Sequence, residues 1–180
     1  ISGPRRFKVG STRDHILGFR AVNGRGEIIK SGGTVVKNVT GYDLSKLICS
    51  SYGTLVALTE ITFKVLPAFK ESKTLVIHDL SIDSAPEYLQ RSISSSNDVS
   101  GASFFPTEPA CDNCKMNIEN TFKLNDLKNK GSLTAIRIEG LKKSVNERIK
   151  NLILELKVSE INISIIENLQ SEIFWKKIKN

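Results

Sequence analysis

Gly32–Pro67, GGTVVKNVTGYDLSKLICSSYGTLVALTEITFKVLP, is the stretch from which the fold of this 180-residue chain is read. Val35-Val36-Lys37-Asn38 predicts an extended segment, and Thr40-Gly41-Tyr42-Asp43 a tight turn that caps a helix. Asp43 suits the N-cap because its carboxylate can accept from the free amides of the first helical turn. Leu44, Leu47 and Ile48 recur at helical spacing behind it and are expected to bury one face. Ser51-Tyr52-Gly53-Thr54 makes a second turn, which feeds a β-rich run from Leu55 to Leu66. From Ile61 onward apolar and polar residues alternate, the period of a strand covered on one side. Pro67 ends it.

Upstream, Ser2-Gly3-Pro4-Arg5-Arg6 reads as a turn, with glycine free to take positive φ and proline fixing the next residue. Ile16 to Val22 reads as a strand, Asn23-Gly24-Arg25-Gly26 as a hairpin turn of the Asn-Gly type, and Glu27 to Lys30 as the returning strand. Downstream of Pro67 the pattern changes. Strands are expected at Lys73–His78, Ala102–Phe105, Leu133–Ile138 and Ile161–Ile166. Helices are expected from Ser84 onward and over Lys143–Lys157, where Val145, Ile149, Leu152, Ile153 and Leu156 share one side. The order β-α-β-β-α-β is the ferredoxin-like, split βαβ motif, with its two helices on one face of a four-stranded antiparallel sheet. A closing helix follows over Gln170–Lys179. Residues 106–131 are polar, without apolar periodicity, and read as an insertion between the second and third of these strands.

The chain is 39% hydrophobic, enough for a real core or two small ones. No apolar run approaches the ~20 residues of a membrane span. Three cysteines are too few for a disulfide scaffold, which fits a reducing compartment, so the expected location is the cytoplasm. The net charge of +7 raises nucleic-acid binding. The lysines are dispersed on helix faces, as at Lys142-Lys143 and Lys176-Lys177, and no aromatic-rich strand runs between them, so that reading is set aside.

The opening stretch resembles the end of the FAD-binding domain of the vanillyl-alcohol oxidase/PCMH-type flavoprotein superfamily. The family pattern K-N-x-x-G-Y-D-L-x-x-L appears as Lys37-Asn38-Val-Thr-Gly41-Tyr42-Asp43-Leu44-Ser-Lys-Leu47. The pattern G-S-x-G-T-L-G-V-I-T-E appears as Ser50-Ser51-Tyr52-Gly53-Thr54-Leu55-Val56-Ala57-Leu58-Thr59-Glu60. With Ser2–Arg6 and Gly10-Ser-Thr-Arg13-Asp14-His-Ile-Leu-Gly18, residues 1–67 look most like the FAD-binding subunits of bacterial glycolate oxidases. The resemblance implies an α+β chain: residues 1–69 as the second half of a PCMH-type FAD-binding domain, and 70–180 as a ferredoxin-like cap. It also implies a piece of a longer protein, since the chain opens on Ile1, its one methionine is Met116, and the family's Gly-rich pyrophosphate loop precedes this region.

The residues carried over to the cofactor are Ser2, Gly3, Gly10, Arg13, Asp14, Gly53, Thr54, Val56, Thr59 and Glu60. Two positions depart from the pattern. Ser50 replaces the first glycine of the Gly-Ser pair, and Val56 the glycine after Thr-Leu, so a narrowed site with weaker flavin binding is one expectation. Cys111-Asp-Asn-Cys114 is the lone C-x-x-C. A zinc or iron–sulfur site needs a second pair or nearby histidines, so no metal is assigned and the pair reads as loop cysteines. Cys49 reads as a small core residue. His15 and His78 have no carboxylate or nucleophile at useful spacing, and no catalytic residue is assigned.

The function implied is that of an FAD-dependent oxidoreductase subunit acting with a sister flavoprotein subunit and an iron–sulfur subunit. It would oxidise a small 2-hydroxy acid such as glycolate to the 2-oxo acid, glyoxylate. The complex would be cytoplasmic or peripheral at the inner membrane. The alternatives are a piece of a self-sufficient FAD-linked 2-hydroxyacid dehydrogenase of the D-lactate type, and a structural subunit that has lost its flavin.

Overall fold

The computed structural model describes residues 3–36, 41–106, 131–158 and 161–178. The described residues form a mixed α and β structure that divides into two compact units: residues 9–68, and residues 69–180 together with Gly3–Lys8. The segment 3–8, read from sequence with the flavin part, thus groups with the second unit. Lys37 to Thr40 and the Cys111/Cys114 insertion lie outside the described residues.

The single helical turn α1 (Arg6–Val9) precedes the first unit, which opens on a second single turn, α2 (Thr12–His15), and runs into β1 (Ile16–Asn23). β1 is the middle of a three-stranded antiparallel sheet, flanked by β2 (Ile28–Gly32) and β3 (Val56–Phe63). The hairpin between β1 and β2 is a four-residue loop rather than a two-residue Asn-Gly turn. Asn23 closes it with its side chain, Oδ1 accepting from Arg25 N at 2.9 Å and Glu27 N at 3.0 Å. Gly26, not Gly24, takes the left-handed conformation, at φ +81°. At the far end of the hairpin Gly18 faces Gly32, and the backbones approach so closely that a Cβ on Gly32 would sit 2.1 Å from Leu17 O. Only glycine fits there.

Helix α3 (Leu44–Ile48) starts where the sequence places it, Asp43 accepting from Lys46 N at 3.2 Å. Its buried face is Ser45 and Ile48; Leu44 and Leu47 are exposed. The helix is too short for three apolar positions to reach the sheet, and the i,i+3 pair Ser45/Ile48 is the one that does. The core of this unit is Ile16, Phe19, Ala21 and Ile48, with Ile29 and Val56 at its margin. β3 departs from the reading of a covered strand: Leu58, Ile61 and Phe63 are all exposed, as is Val65 just beyond it.

The second unit is a four-stranded antiparallel sheet in the order β5-β6-β4-β7, made of β4 (Glu71–His78), β5 (Val99–Phe105), β6 (Leu133–Gly140) and β7 (Ile163–Glu167). With α4 (Ala85–Ser94) and α5 (Lys142–Leu156) as crossovers, the order is that of the ferredoxin-like motif. α4 and α5 share one face, where Val145, Ile149, Leu152 and Leu156 pack on Leu75, Ile77, Ile136 and Ile138. Lys157, in the left-handed conformation at φ +55°, ends α5 by donating its amide to Ile153 O and Leu154 O.

The sheet's other face is not open. Helix α6 (Asn168–Ile178) packs Phe174 and Trp175 on it, against Val76, Phe105, Leu133, Ala135 and Ile166. A polar seam runs beside this second core. Ser171 Oγ bonds Ser72 Oγ at 2.9 Å and Thr74 Oγ1 at 2.7 Å, and Trp175 Nε1 donates to Thr74 Oγ1 at 2.8 Å. Arg137 Nε donates to Ser72 Oγ at 3.0 Å, and Arg137 Nη2 lies 3.0 Å from Glu139 Oε1. Burial pushes the Arg137 pKa down, and the Glu139 carboxylate opposes the shift. A buried pair of this kind holds because both charges stay partnered.

Two outcomes are expected. Phe174 is fully buried, so Phe174→Ala should cost about 3–5 kcal/mol in denaturant unfolding. Leu169→Ala, on the same helix at a site 68% exposed, should stay within about 0.5 kcal/mol. His78 is buried with Nε2 2.8 Å from Ser164 Oγ and Nδ1 without a partner, and desolvation holds its pKa below the ordinary value, Asp79 opposing. The unfolded chain therefore takes up a proton first, near the ordinary value of about 6.5. Stability from the neutral ring is complete above that pH and falls as pH drops below it. His78→Gln should flatten the stability–pH curve between about pH 6.5 and 5, as followed by denaturant midpoints.

Candidate cofactor site

The first unit holds a concavity of about 380 Å³. One wall is the end of α3 and the turn after it, Ile48 to Gly53; the other is β3, through Val56, Leu58, Ile61 and Phe63. Thr12 of α2 and Ile16 at the start of β1 close the end. The apolar residues that β3 leaves exposed are therefore its surface, not a failure of the strand to pack. Its size lies at the low end of the range for small-molecule pockets, about 300–1,000 Å³. None of its lining residues is charged.

The turn is built on left-handed backbone. Ser50, Tyr52 and Gly53 have φ of 70°, 52° and 76°. Ser51 N donates to Ile48 O at 3.1 Å, and Thr54 N and Oγ1 both reach Ser51 O, at 3.0 and 2.6 Å. Ser50 thus holds, without being glycine, a conformation that favours glycine. A Cβ built on Gly53 meets nothing within 4 Å, so the space beside it is open. Val56, the other departure from the pattern, is half-buried and lines the concavity while packing on the core. Cys49 also lines it and is half-buried, rather than enclosed in the core.

Of the residues carried over from sequence, the concavity gathers Gly53 and Val56. Thr54 is spent on the turn. Thr59 Oγ1 donates to Arg20 O at 3.0 Å, and Glu60 pairs with Arg20 at 3.4 Å on the exposed part of the sheet. Asp14 caps α2, accepting from Ser11 N at 2.7 Å and Ser11 Oγ at 2.8 Å, and these bonds hold its carboxyl below the usual range. Gly10, at φ +83°, sits against Asp14, where a Cβ would come within 2.9 Å of Oδ2. Arg13 is exposed on α2. Gly3 belongs to the second unit, with nothing within 4 Å of a Cβ, and Ser2 lies outside the described residues. The lining residues that were not carried over are Thr12, Ile16, Ile48, Cys49, Ser50, Ser51, Tyr52, Ala57, Leu58, Ile61 and Phe63. The signal for Ile61 and Phe63 was present, in the apolar alternation that starts at Ile61, but alternation does not say which side is covered.

His15 contributes no free base here. Nε2 is 2.7 Å from Val9 O and Nδ1 3.1 Å from Lys64 O, so both ring nitrogens face backbone carbonyls. Among the described residues no group of His, Cys, Asp and Glu could hold a metal ion. An uncharged, largely apolar hollow bordered by a backbone turn suits a flat ring system and offers nothing to a diphosphate.

No family model matches the chain. Part of it is homologous to curated proteins. Glycolate oxidase subunit GlcE of Escherichia coli is 52% identical over 75 residues, 42% of this chain and 21% of its own length. Glycolate oxidase subunit GlcD of Bacillus subtilis is 41% identical over 85 residues, 47% of this chain and 18% of its own. An FAD-linked oxidoreductase of Mycobacterium tuberculosis is 42% identical over 74 residues, 41% of this chain and 16% of its own. D-lactate dehydrogenases match over similar lengths. The match thus spans about a fifth of the length of these relatives. Among solved structures, alkyldihydroxyacetonephosphate synthase superposes with a TM-score of 0.65 at 20% identity, covering 99% of this chain and 34% of that one. At that identity the likeness concerns the fold.

Ser50 and Gly53 make the turn testable by itself. Ser50→Gly relieves a left-handed side chain at some cost in chain entropy, and a net gain of up to about 1 kcal/mol is expected. Gly53→Ala, with open space but a left-handed backbone, should lose about 1–2 kcal/mol. Denaturant unfolding of the two variants should give opposite signs.

Proposed function

We propose that this chain is part of the FAD-binding subunit of a glycolate oxidase type enzyme, which oxidises a small 2-hydroxy acid to the 2-oxo acid. The observation that carries the reading is the 52% identity over 75 residues to a glycolate oxidase subunit, in a chain whose Ser50–Val56 turn borders an apolar hollow. In this reading Leu58, Ile61 and Phe63 give the flavin ring an apolar bed and keep water from one of its faces. The left-handed turn at Ser50–Gly53 brings main chain rather than side chain to the ring's edge, and the open space at Gly53 is what makes that approach feasible. FAD, when bound, supplies the two-electron acceptor for the carbon–hydrogen bond that breaks. The hollow offers no cation to the diphosphate or to the substrate carboxylate, so in this reading they are assigned to parts of the protein other than this wall.

The described residues hold no base for the substrate hydroxyl proton at the hollow, since His15 is taken up by two carbonyls. That proton is therefore assigned elsewhere in the enzyme. A sister flavoprotein subunit and an iron–sulfur subunit complete the proposed complex in the cytoplasm or at the inner membrane, and would take the electrons onward. The matches to D-lactate dehydrogenases support a second reading, a self-sufficient enzyme of that type.

In the full-length protein, Leu58→Asp puts a carboxylate on the ring's bed at a position already 43% exposed, so folding should survive. Flavin content, read from absorbance after purification, should fall at least tenfold, in the range expected for an uncompensated charge against an apolar surface. Flavin content equal to wild type would remove the hollow from the cofactor site. Turnover of glycolate against D-lactate by the wild type then separates the two readings.

A further inference from the structure

The two walls of the hollow are of unlike standing, and all of its lining residues belong to the first unit. On the β3 wall the strand is backed by the sheet, and Val56 packs on the core of Ile16, Phe19, Ala21 and Ile48. On the other wall Tyr52 is 97% exposed, so its ring packs on almost nothing in the fold, and yet it lines the hollow. Its backbone is held at φ +52°. That conformation drives a Cβ toward the following carbonyl oxygen, a cost that glycine escapes and an aromatic residue does not. Gly53, next in the chain, takes the same region at φ +76° without that cost.

The turn does not use the Tyr52 side chain to close. Ser51 N bonds Ile48 O at 3.1 Å, and Thr54 N and Oγ1 bond Ser51 O at 3.0 and 2.6 Å. A large ring left in water beside an apolar hollow, on backbone that disfavours it, gains contact area when something fills the hollow. Residues held in such conformations collect at ligand clamps for this reason. A planar ring system lying on Leu58, Ile61 and Phe63 would have its other face turned to the Tyr52 wall, and aromatic pairs stabilise by offset-stacked or edge-to-face contact.

We propose that Tyr52 is a cofactor-contacting residue whose phenol ring meets the flavin ring from the wall opposite β3, so that the flavin is held between an apolar bed and an aromatic side chain. This rests on the FAD reading above and deepens it, because the turn then grips the ring with a side chain as well as bordering it with main chain. The strain at Tyr52 is offset by that contact in the loaded protein.

The test uses Tyr52→Phe and Tyr52→Leu in the full-length flavoprotein, reading the emission of bound flavin, the flavin dissociation constant by titration into apoprotein, and the unfolding midpoint of the apoprotein. A phenol touching photoexcited flavin gives it an electron and takes it back without emission, which a phenyl ring or an alkyl chain does not do. Emission per bound flavin should therefore rise above wild type in both variants. Tyr52→Phe keeps the ring and should hold flavin affinity within about twofold, while Tyr52→Leu should weaken it about threefold to tenfold, the range of an aromatic pair. Neither should lower the midpoint, since the side chain is 97% exposed. A fall confined to Tyr52→Leu leaves Tyr52→Phe to decide, through its emission. Emission and affinity equal to wild type in Tyr52→Leu would overturn the proposal. So would weakened affinity with emission unchanged in both variants, which would put the effect in the turn's backbone. A wild-type protein that binds no flavin would instead overturn the FAD reading, and this inference with it.

Discussion

The β4–β6 ladder is the interaction on which the second unit depends. Eight consecutive residue pairs run unbroken from Glu71↔Gly140 to His78↔Leu133. β5 adds to one side of this pair and β7 to the other, so both central strands are interior. Helices then cover both faces, which is why Leu75, Val76 and Ile77 are all fully buried in succession, without the alternation of a one-sided strand. Burial on the α6 side comes with a condition. Ser72, Thr74, Arg137 and Glu139 point there, and an unpaired polar group in that layer would cost more than its hydrogen bond returns. Ser171 and Trp175 of α6 meet that condition for the neutral groups, and Arg137 and Arg5 hold the Glu139 carboxylate between them.

The first unit is built differently. Among its described residues four buried apolar side chains form a small core around β1, and β3 and the turn before it leave apolar side chains exposed. Rigid support beneath and unsatisfied apolar surface above is the arrangement in which ligand sites are found, with the contacting residues on turns and strand faces rather than in the core. The left-handed run at Ser50–Gly53 adds to this. Serine and tyrosine held at positive φ store strain that surrounding structure must maintain, and such strain collects at functional positions. The two units thus differ in how they spend their apolar surface: one buries it beneath helices on both faces of its sheet, the other leaves part of it lining a hollow.

Some of the site was legible in sequence. Asp43 as N-cap and the turn around Gly53 followed from residue chemistry, because caps and turns are decided within three or four residues. Asp14, Thr59 and Glu60 carried the same kind of motif signal, and the structure places them away from the hollow, on a cap, a backbone carbonyl and a surface arginine. A carboxylate or hydroxyl in a motif has many local partners available, and sequence does not rank them. The alternation from Ile61 onward reads as a strand covered on one side, because an apolar alternation looks the same whether it faces protein or a hollow.

The sequence by itself determined the order and kind of the elements: the β-hairpin through Asn23–Glu27, the short helix behind Asp43, the β-α-β-β-α-β run and the closing helix. These are set by periodicity, capping and turn sterics, all local in range. Only the tertiary structure decided which faces those elements cover. It placed α6 over the side of the sheet opposite α4 and α5, turned the apolar face of β3 toward a hollow, and joined Arg5 to Glu139 across more than a hundred residues of chain. Packing against one face or another, and the pairing of one buried charge with another, depend on neighbours far away in sequence, and no local pattern carries that information.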